Sequence, residues 1–184
     1  RGSQPLVVAL VGAMAITLIT IPLAYGLGVK SLAAVVGTAT SLLATVLLAR
    51  FAASLTHLTG RASEEALVLR AYSDEISIVG LLIAGMVIGA LGVLDDLTVS
   101  QASTVMALRR ANPALGMRQL FRGALSVGHD HILATVNTLV LAYAGAALPT
   151  LLIFTGSETR FGDAINSEIV AADVVAMLVG SIGL

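Results

Sequence analysis

ISIVGLLIAGMVIGALGVL, Ile76 to Leu94, runs nineteen residues without a charge and stops at Asp95-Asp96. At about 1.5 Å rise per residue, a helix of that length crosses the ~30 Å hydrocarbon layer of a bilayer. A carboxylate pair at the end of such a helix is costly unless it is solvated, paired or used. The rest of the chain fits the same solvent. Of its 184 residues 57% are hydrophobic and 11% charged, and the mean hydropathy is +0.97. Soluble domains carry about 25% charged residues, and a water-soluble core of this size has no room for so much apolar surface.

Composition also removes several function classes. A net charge of −1 gives no basic field for nucleic acid. With no cysteine there are no disulfides, thiolate metal sites or thiol nucleophiles. Tryptophan is absent and aromatics make up 4%, so an interfacial aromatic belt is thin. The chain contains no nucleophile elbow, Walker loop or His-Glu-x-x-His, and nothing supports an enzyme or a cofactor. The opening Arg1-Gly2-Ser3-Gln4-Pro5 does not read as a signal peptide. The chain reads as a fragment of a longer protein.

Uncharged runs place crossings at approximately 6–27, 31–49, 76–94, 132–154 and 169–184, the last cut short. Pro5 suits a first helical turn, and Gly26 and Gly28 suit its close. Ser63-Glu64-Glu65 offers a helix start within the connector between the second and third crossings. Asn112-Pro113 is a stop signal. Between Met117 and Val127 the spacing predicts a short amphipathic helix, with Leu120, Phe121, Ala124 and Leu125 on one face and Arg118 and Arg122 on another. The expected fold is all-α: a polytopic transmembrane helix bundle, one domain of about five spanning helices plus a cytoplasmic amphipathic helix. The 95–131 connector holds Arg109, Arg110, Arg118 and Arg122 and no lysine, which places it in the cytoplasm of a multi-pass cell-membrane protein. The 51–75 and 155–168 connectors then lie outside.

Several polar residues are candidates for chemistry. Gly85, Gly89, Gly92 and Asp96 follow at i, i+4, i+7 and i+11, so they share one helix face. The glycines form a seam for close helix packing. Asp96 at its end reads as a proton or ion relay, or as a headgroup-boundary carboxylate paired with an arginine. Asp95, about 100° round the helix, reads rather as solvated or paired. Thr98, Ser100, Gln101, Ser103 and Thr104 offer oxygens for an ion, but are better read as a surface helix at the interface. His129-Asp130-His131 can bind a metal only where a third ligand is near, and better suits hydrogen bonding or proton exchange with Asp95 and Asp96. In the fourth crossing Asn137 and Thr138 are either polar pathway lining or interhelical glue. Asp173, four residues into the fifth crossing, sits near the outer face, away from the first two carboxylates, and reads as an outer gate of the relay or as an interfacial carboxylate.

The stretch Gly80 to Val105, with Leu108-Arg-Arg-Ala-Asn-Pro113, Val127-Gly-His-Asp-His-Ile132, Thr135 to Pro149, and the closing Asn166-Ser-Glu168 and Leu178 to Leu184, resembles the YibE/F-like family of bacterial membrane proteins. The resemblance covers nearly the whole chain. It implies a multispanning membrane protein with no assigned activity to carry over, further hydrophobic segments and a soluble domain upstream, and a last helix that continues. Tyr25 stands where the resemblance implies a frequent histidine. More distantly, a glycine-rich span ending in Asp, an Arg-bearing helix and a Thr-rich span resemble the membrane core of RND and SecD/SecF-type transporters, which couple proton flow to work. Two functions follow as expectations. One is a transporter-like or ion-coupled permease component with membrane carboxylates as proton relay. The other is a non-catalytic membrane scaffold or accessory subunit packing through glycine seams. The expected partners are the lipid bilayer and a second copy or other membrane subunits.

Overall fold

A computed structural model describes residues 5–61, 64–72, 75–157 and 159–184. The first four residues and the helix start expected at Ser63 lie outside them. The described residues form seven helices: α1 (Pro5–Tyr25), α2 (Val29–Leu55), α3 (Glu64–Tyr72), α4 (Ile78–Ala111), α5 (Met117–Gly156), α6 (Phe161–Ile165) and α7 (Glu168–Ile182). Among them there is no strand. Four helices, α1, α2, α4 and α5, are long and apolar enough to cross a membrane. α7 has 15 residues, about 22 Å at helical rise.

Local chemistry sets the helix ends. Pro5 begins α1, where a missing N–H costs nothing. Its exit uses Gly26 at φ 79°, a left-handed conformation that glycine adopts without strain. The Ser77 hydroxyl caps α4 by accepting from Gly80 N–H at 3.1 Å. Arg109 and Arg110 lie in its last turn, where cations oppose the helix dipole. Asn112-Pro113 then ends it, as the sequence predicts.

Two expected breaks are missing. α4 does not stop at Leu94 but continues through the carboxylates and the hydroxyl run to Ala111. The amphipathic segment 117–127 is not a separate helix; it forms the first three turns of α5, which runs unbroken to Gly156. The 95–131 connector is therefore mostly two helical extensions joined by a tight turn. Leu, Met, Ala, Gln and Arg recur through both extensions and favour helix, and no proline interrupts either one. α4 and α5 measure about 51 and 60 Å, well beyond the ~30 Å hydrocarbon layer.

α4 is the hub. Its most extensive packing is on α2, and it also meets α1, α5 and α7. α1 offers a ridge of every fourth residue, Ala9, Ala13, Thr17 and Ile21. α2 buries small residues, among them Ala34, Thr38, Thr45, Ala49 and Ala53, and small side chains let backbones approach closely where hydrocarbon supplies no hydrophobic drive. Leu42, Val87, Leu94 and Val179 fill the centre. The opposite arrangement prevails outside: Val11, Leu23, Leu43, Leu141 and Leu152 are exposed, a surface suited to lipid rather than water.

Candidate functional site

Asp95 directly follows Leu94 of the buried α4 core and turns towards α1. Thr17 Oγ1, fully buried, donates to Asp95 Oδ1 at 3.3 Å and lies 3.4 Å from Oδ2. One turn on, Thr98 meets Thr38 of α2, oxygen to oxygen at 2.7 Å. Thr98 also donates to the Leu94 carbonyl at 2.9 Å. A hydroxyl has one proton to give, so Thr38 is the donor between the two. Another turn on, the Gln101 amide reaches the α5 backbone, donating to Ala124 O at 3.1 Å and accepting from Gly128 N–H at 3.2 Å. Three residues spaced by three thus tie α4 to three neighbours in succession.

The other side of the same segment meets α5. His131 Nε2 lies 3.5 Å from Asp96 Oδ2, and its Nδ1 is 3.2 Å from Ser100 Oγ. A charged imidazole donates to both; a neutral one with its proton on Nε2 faces Asp96 and accepts from Ser100. Asp95 and Asp96 share a cleft of about 220 Å³ with Thr20, Ile21, Ala24, Tyr25 and Val99. Lys30 Nζ sits 4.3 Å from the centre of the Tyr25 ring, a cation–π contact beside that cleft. The cleft is polar on its α4 wall and has room for several waters.

These positions give each member of the acidic pair its own partner, Thr17 for Asp95 and His131 for Asp96. The glycine face does lead to Asp96, but that face is open: Gly85 and Gly92 have nothing within 4 Å of an added Cβ, and Gly89 meets only the Tyr143 hydroxyl at 3.5 Å. Asp96 is exposed and Asp95 half-buried, because α4 directs its large apolar residues, not its glycines, at α1 and α2. The hydroxyl and amide run is likewise not a free surface helix. Thr98, Ser100 and Gln101 join neighbouring helices, while Ser103 and Thr104 donate back to Val99 O and Ser100 O.

The remaining candidates do not join the cluster. His129 and Asp130 are exposed on α5. Asn137 and Thr138 lie on the outward face of α5, with the Thr138 hydroxyl donating to Ala134 O. Asp173 lines a separate cavity with Gly85 and Tyr143; Gly85 precedes Asp95 by ten residues, about 15 Å along α4. Among the described residues no three His, Asp or Glu side chains converge as a metal set.

Sequence reading missed Thr17 and Thr38. A threonine inside an apolar run carries no mark of its partner. Gly128, directly before the His-Asp-His triplet, was a usable signal, since a glycine inside a long helix asks for a close neighbour.

The family model for YibE/F-like protein matches residues 1–184. The chain belongs to the YibE/F-like family. No curated protein and no solved structure matches it. Within this YibE/F-like chain, two of the segments that carry the resemblance supply the cluster: Gly80 to Val105, through Asp95 to Gln101, and Val127 to Ile132. A third, Asn166-Ser-Glu168, works elsewhere. Glu168 accepts from Thr59 Oγ1 at 2.8 and 2.9 Å and from the Thr59 and Gly60 N–H groups. Gly60 is at φ 70°, and an added Cβ would lie 3.0 Å from Ile78 O. That left-handed turn points successive N–H groups at one carboxylate.

Proposed function

We propose that this YibE/F-like membrane protein is a transporter-like, ion-coupled component in which Asp95, Asp96 and His131 pass protons between the cleft beside Tyr25 and the bundle. One observation carries the reading: the two carboxylates line a single cleft, and from it one reaches a fully buried hydroxyl while the other reaches an imidazole. Carboxylate, imidazole and hydroxyl groups all exchange protons, and ionisable residues at membrane depth are retained mainly for such use. On this reading Thr17 holds the Asp95 carboxylate in place. The arginine-bearing turn between α4 and α5 faces the cytoplasm, so the cleft is the inner port. His129, Asp130, Asn137 and Thr138 take no part in the step.

Proton flux into vesicles containing the purified chain, driven by a pH gradient and followed with an entrapped pH dye, tests this. Asp95→Asn should lower the flux by about tenfold or more, the usual weight of a positioned acid–base group. Asp96→Asn and His131→Asn should each lower it to a similar extent, and Ser103→Ala should leave it unchanged. Wild-type flux in both acidic variants would end the relay reading.

A second reading, the scaffold, is favoured by the open Gly85 and Gly92 face. Gly92→Leu then disrupts assembly with another membrane helix, seen as a smaller particle in detergent, while flux is untouched. Gly92 is the better probe than Gly89, where a leucine would also strike Tyr143.

A further inference from the structure

A cavity of about 400 Å³ opens between α3, α4, α5 and α7, a size that holds a small organic ligand. Its walls are largely aliphatic, with Leu81, Met86 and Ala172 among them. Two polar side chains enter it, Asp173 and Tyr143. Asp173 is half-buried, and among the described residues it has no hydrogen-bond or ion-pair partner. Its neighbour on the cleft wall, Gly85, leaves open space where a side chain would stand. A carboxylate at such a depth is costly when it faces nothing.

We propose that this cavity binds an amphiphilic organic cation, with Asp173 as counter-ion, Tyr143 beside the charged head, and the α4 wall at Leu81 and Met86 against the apolar body. A bare inorganic cation is a poor fit. Calcium takes six to eight oxygen ligands and magnesium six, and this cavity offers one carboxylate and one phenol. A neutral ligand leaves the carboxylate unanswered. An alkyl- or arylammonium answers both halves, charge to Asp173 and hydrocarbon to the aliphatic wall, and an aromatic face adds cation–π attraction. The ammonium has two sources, a free amine or the head of an aminophospholipid. The site does not depend on the proton relay, since Asp173 is not among the groups assigned to it.

Radiolabelled benzyltriethylammonium binding to the chain in nanodiscs of a neutral glycolipid tests the proposal. Saturable binding of one cation per chain is expected. Asp173→Asn should weaken it by about tenfold or more, as loss of one partner of a partly buried charge pair does. Asp173→Glu should restore most of it, and Gly85→Leu, which fills the open side of the cavity, should weaken it with Asp173 intact. Displacement of the probe when phosphatidylethanolamine is doped into the discs assigns the seat to a lipid head; undiminished binding assigns it to a free amine. Equal binding by wild type and Asp173→Asn, with the folded state of both verified by circular dichroism, overturns the proposal. So does equal binding of an uncharged analogue of the same shape.

Discussion

A methyl group added to Gly128 would displace the end of a side chain from another helix. Its carbon would lie 1.5 Å from the nearer amide atom of Gln101, whose nitrogen and oxygen are engaged with Ala124 O and Gly128 N–H. The glycine therefore makes room for a side chain on another helix, and its own backbone conformation does not call for it. Gly128→Ala should cost about 1–3 kcal/mol, the range for overpacking a filled interface. Gln101→Ala alone should cost about 1 kcal/mol per lost hydrogen bond. In the double variant the clash is gone and alanine improves the helix by up to about 1 kcal/mol over glycine, so the double should be more stable than the sum of the singles predicts. Thermal unfolding of the four proteins in detergent, followed by circular dichroism, measures that coupling. Strict additivity would mean that the two residues do not meet. Thr17 and Asp95 make the comparable pair inside the candidate site: Thr17→Val keeps the shape and removes the donor, and its flux should fall with that of Asp95→Asn.

Element ends explain why α7 sits where it does. Glu168 opens α7, and the turn at Thr59 and Gly60 closes the loop after α2; one carboxylate joins them. Burial pushes the Glu168 carboxyl up, but the Thr59 hydroxyl and the N–H groups of Gly60, Thr59 and Arg61 outweigh it and hold it below its ordinary value of 4.5. A depressed acid stabilises the fold above the unfolded pKa and loses that contribution as pH falls through the lowered value. Wild type should therefore lose melting temperature below about pH 4.5, and Glu168→Gln should lose less over the same interval. The difference will be small, since the group is only half-buried and solvent screens it. The sequence showed the positions of the long helices well, because an uncharged run is a direct record of solvent. It did not show that α4 continues past Leu94 or that α5 begins at Met117, because a helix leaving the bilayer needs only helix-compatible residues, and Asp95 to Arg110 and Met117 to His131 supply them. It also left the partners of the acidic pair open. The i, i+4, i+7 glycine series correctly identified a face, but periodicity says which residues share a face and not which neighbour that face meets. Thr17 was silent for the same reason: its importance lies in Asp95, 78 positions away.

At the scale of the whole molecule the decisive relation is between two ends of one bundle. The turn at Thr59 and Gly60, the start of α4 at Ile78 and the start of α7 at Glu168 gather at one end. The α1–α2 turn, with Tyr25 and Lys30, gathers with Asp95 and Asp96 further along α4. The organic-cation cavity thus lies towards the first end and the acidic cleft towards the second. If the arginine-bearing turn is cytoplasmic, as its charge predicts, the two open on opposite sides of the membrane, the geometry that coupling an ion to a cargo requires. The chain has no cysteine, so a single introduced thiol reports its side without background. Ala114→Cys, in the exposed turn between α4 and α5, should react with a membrane-impermeant maleimide only in inside-out vesicles. Ser157→Cys, exposed just past α5, should react only in right-side-out ones. Four helices of crossing length joined by these turns admit either the stated orientation or its mirror. Labelling of Ala114→Cys from the outer side would invert every assignment of inner and outer port, while leaving the distances around Asp95, Asp96 and Asp173 as they are.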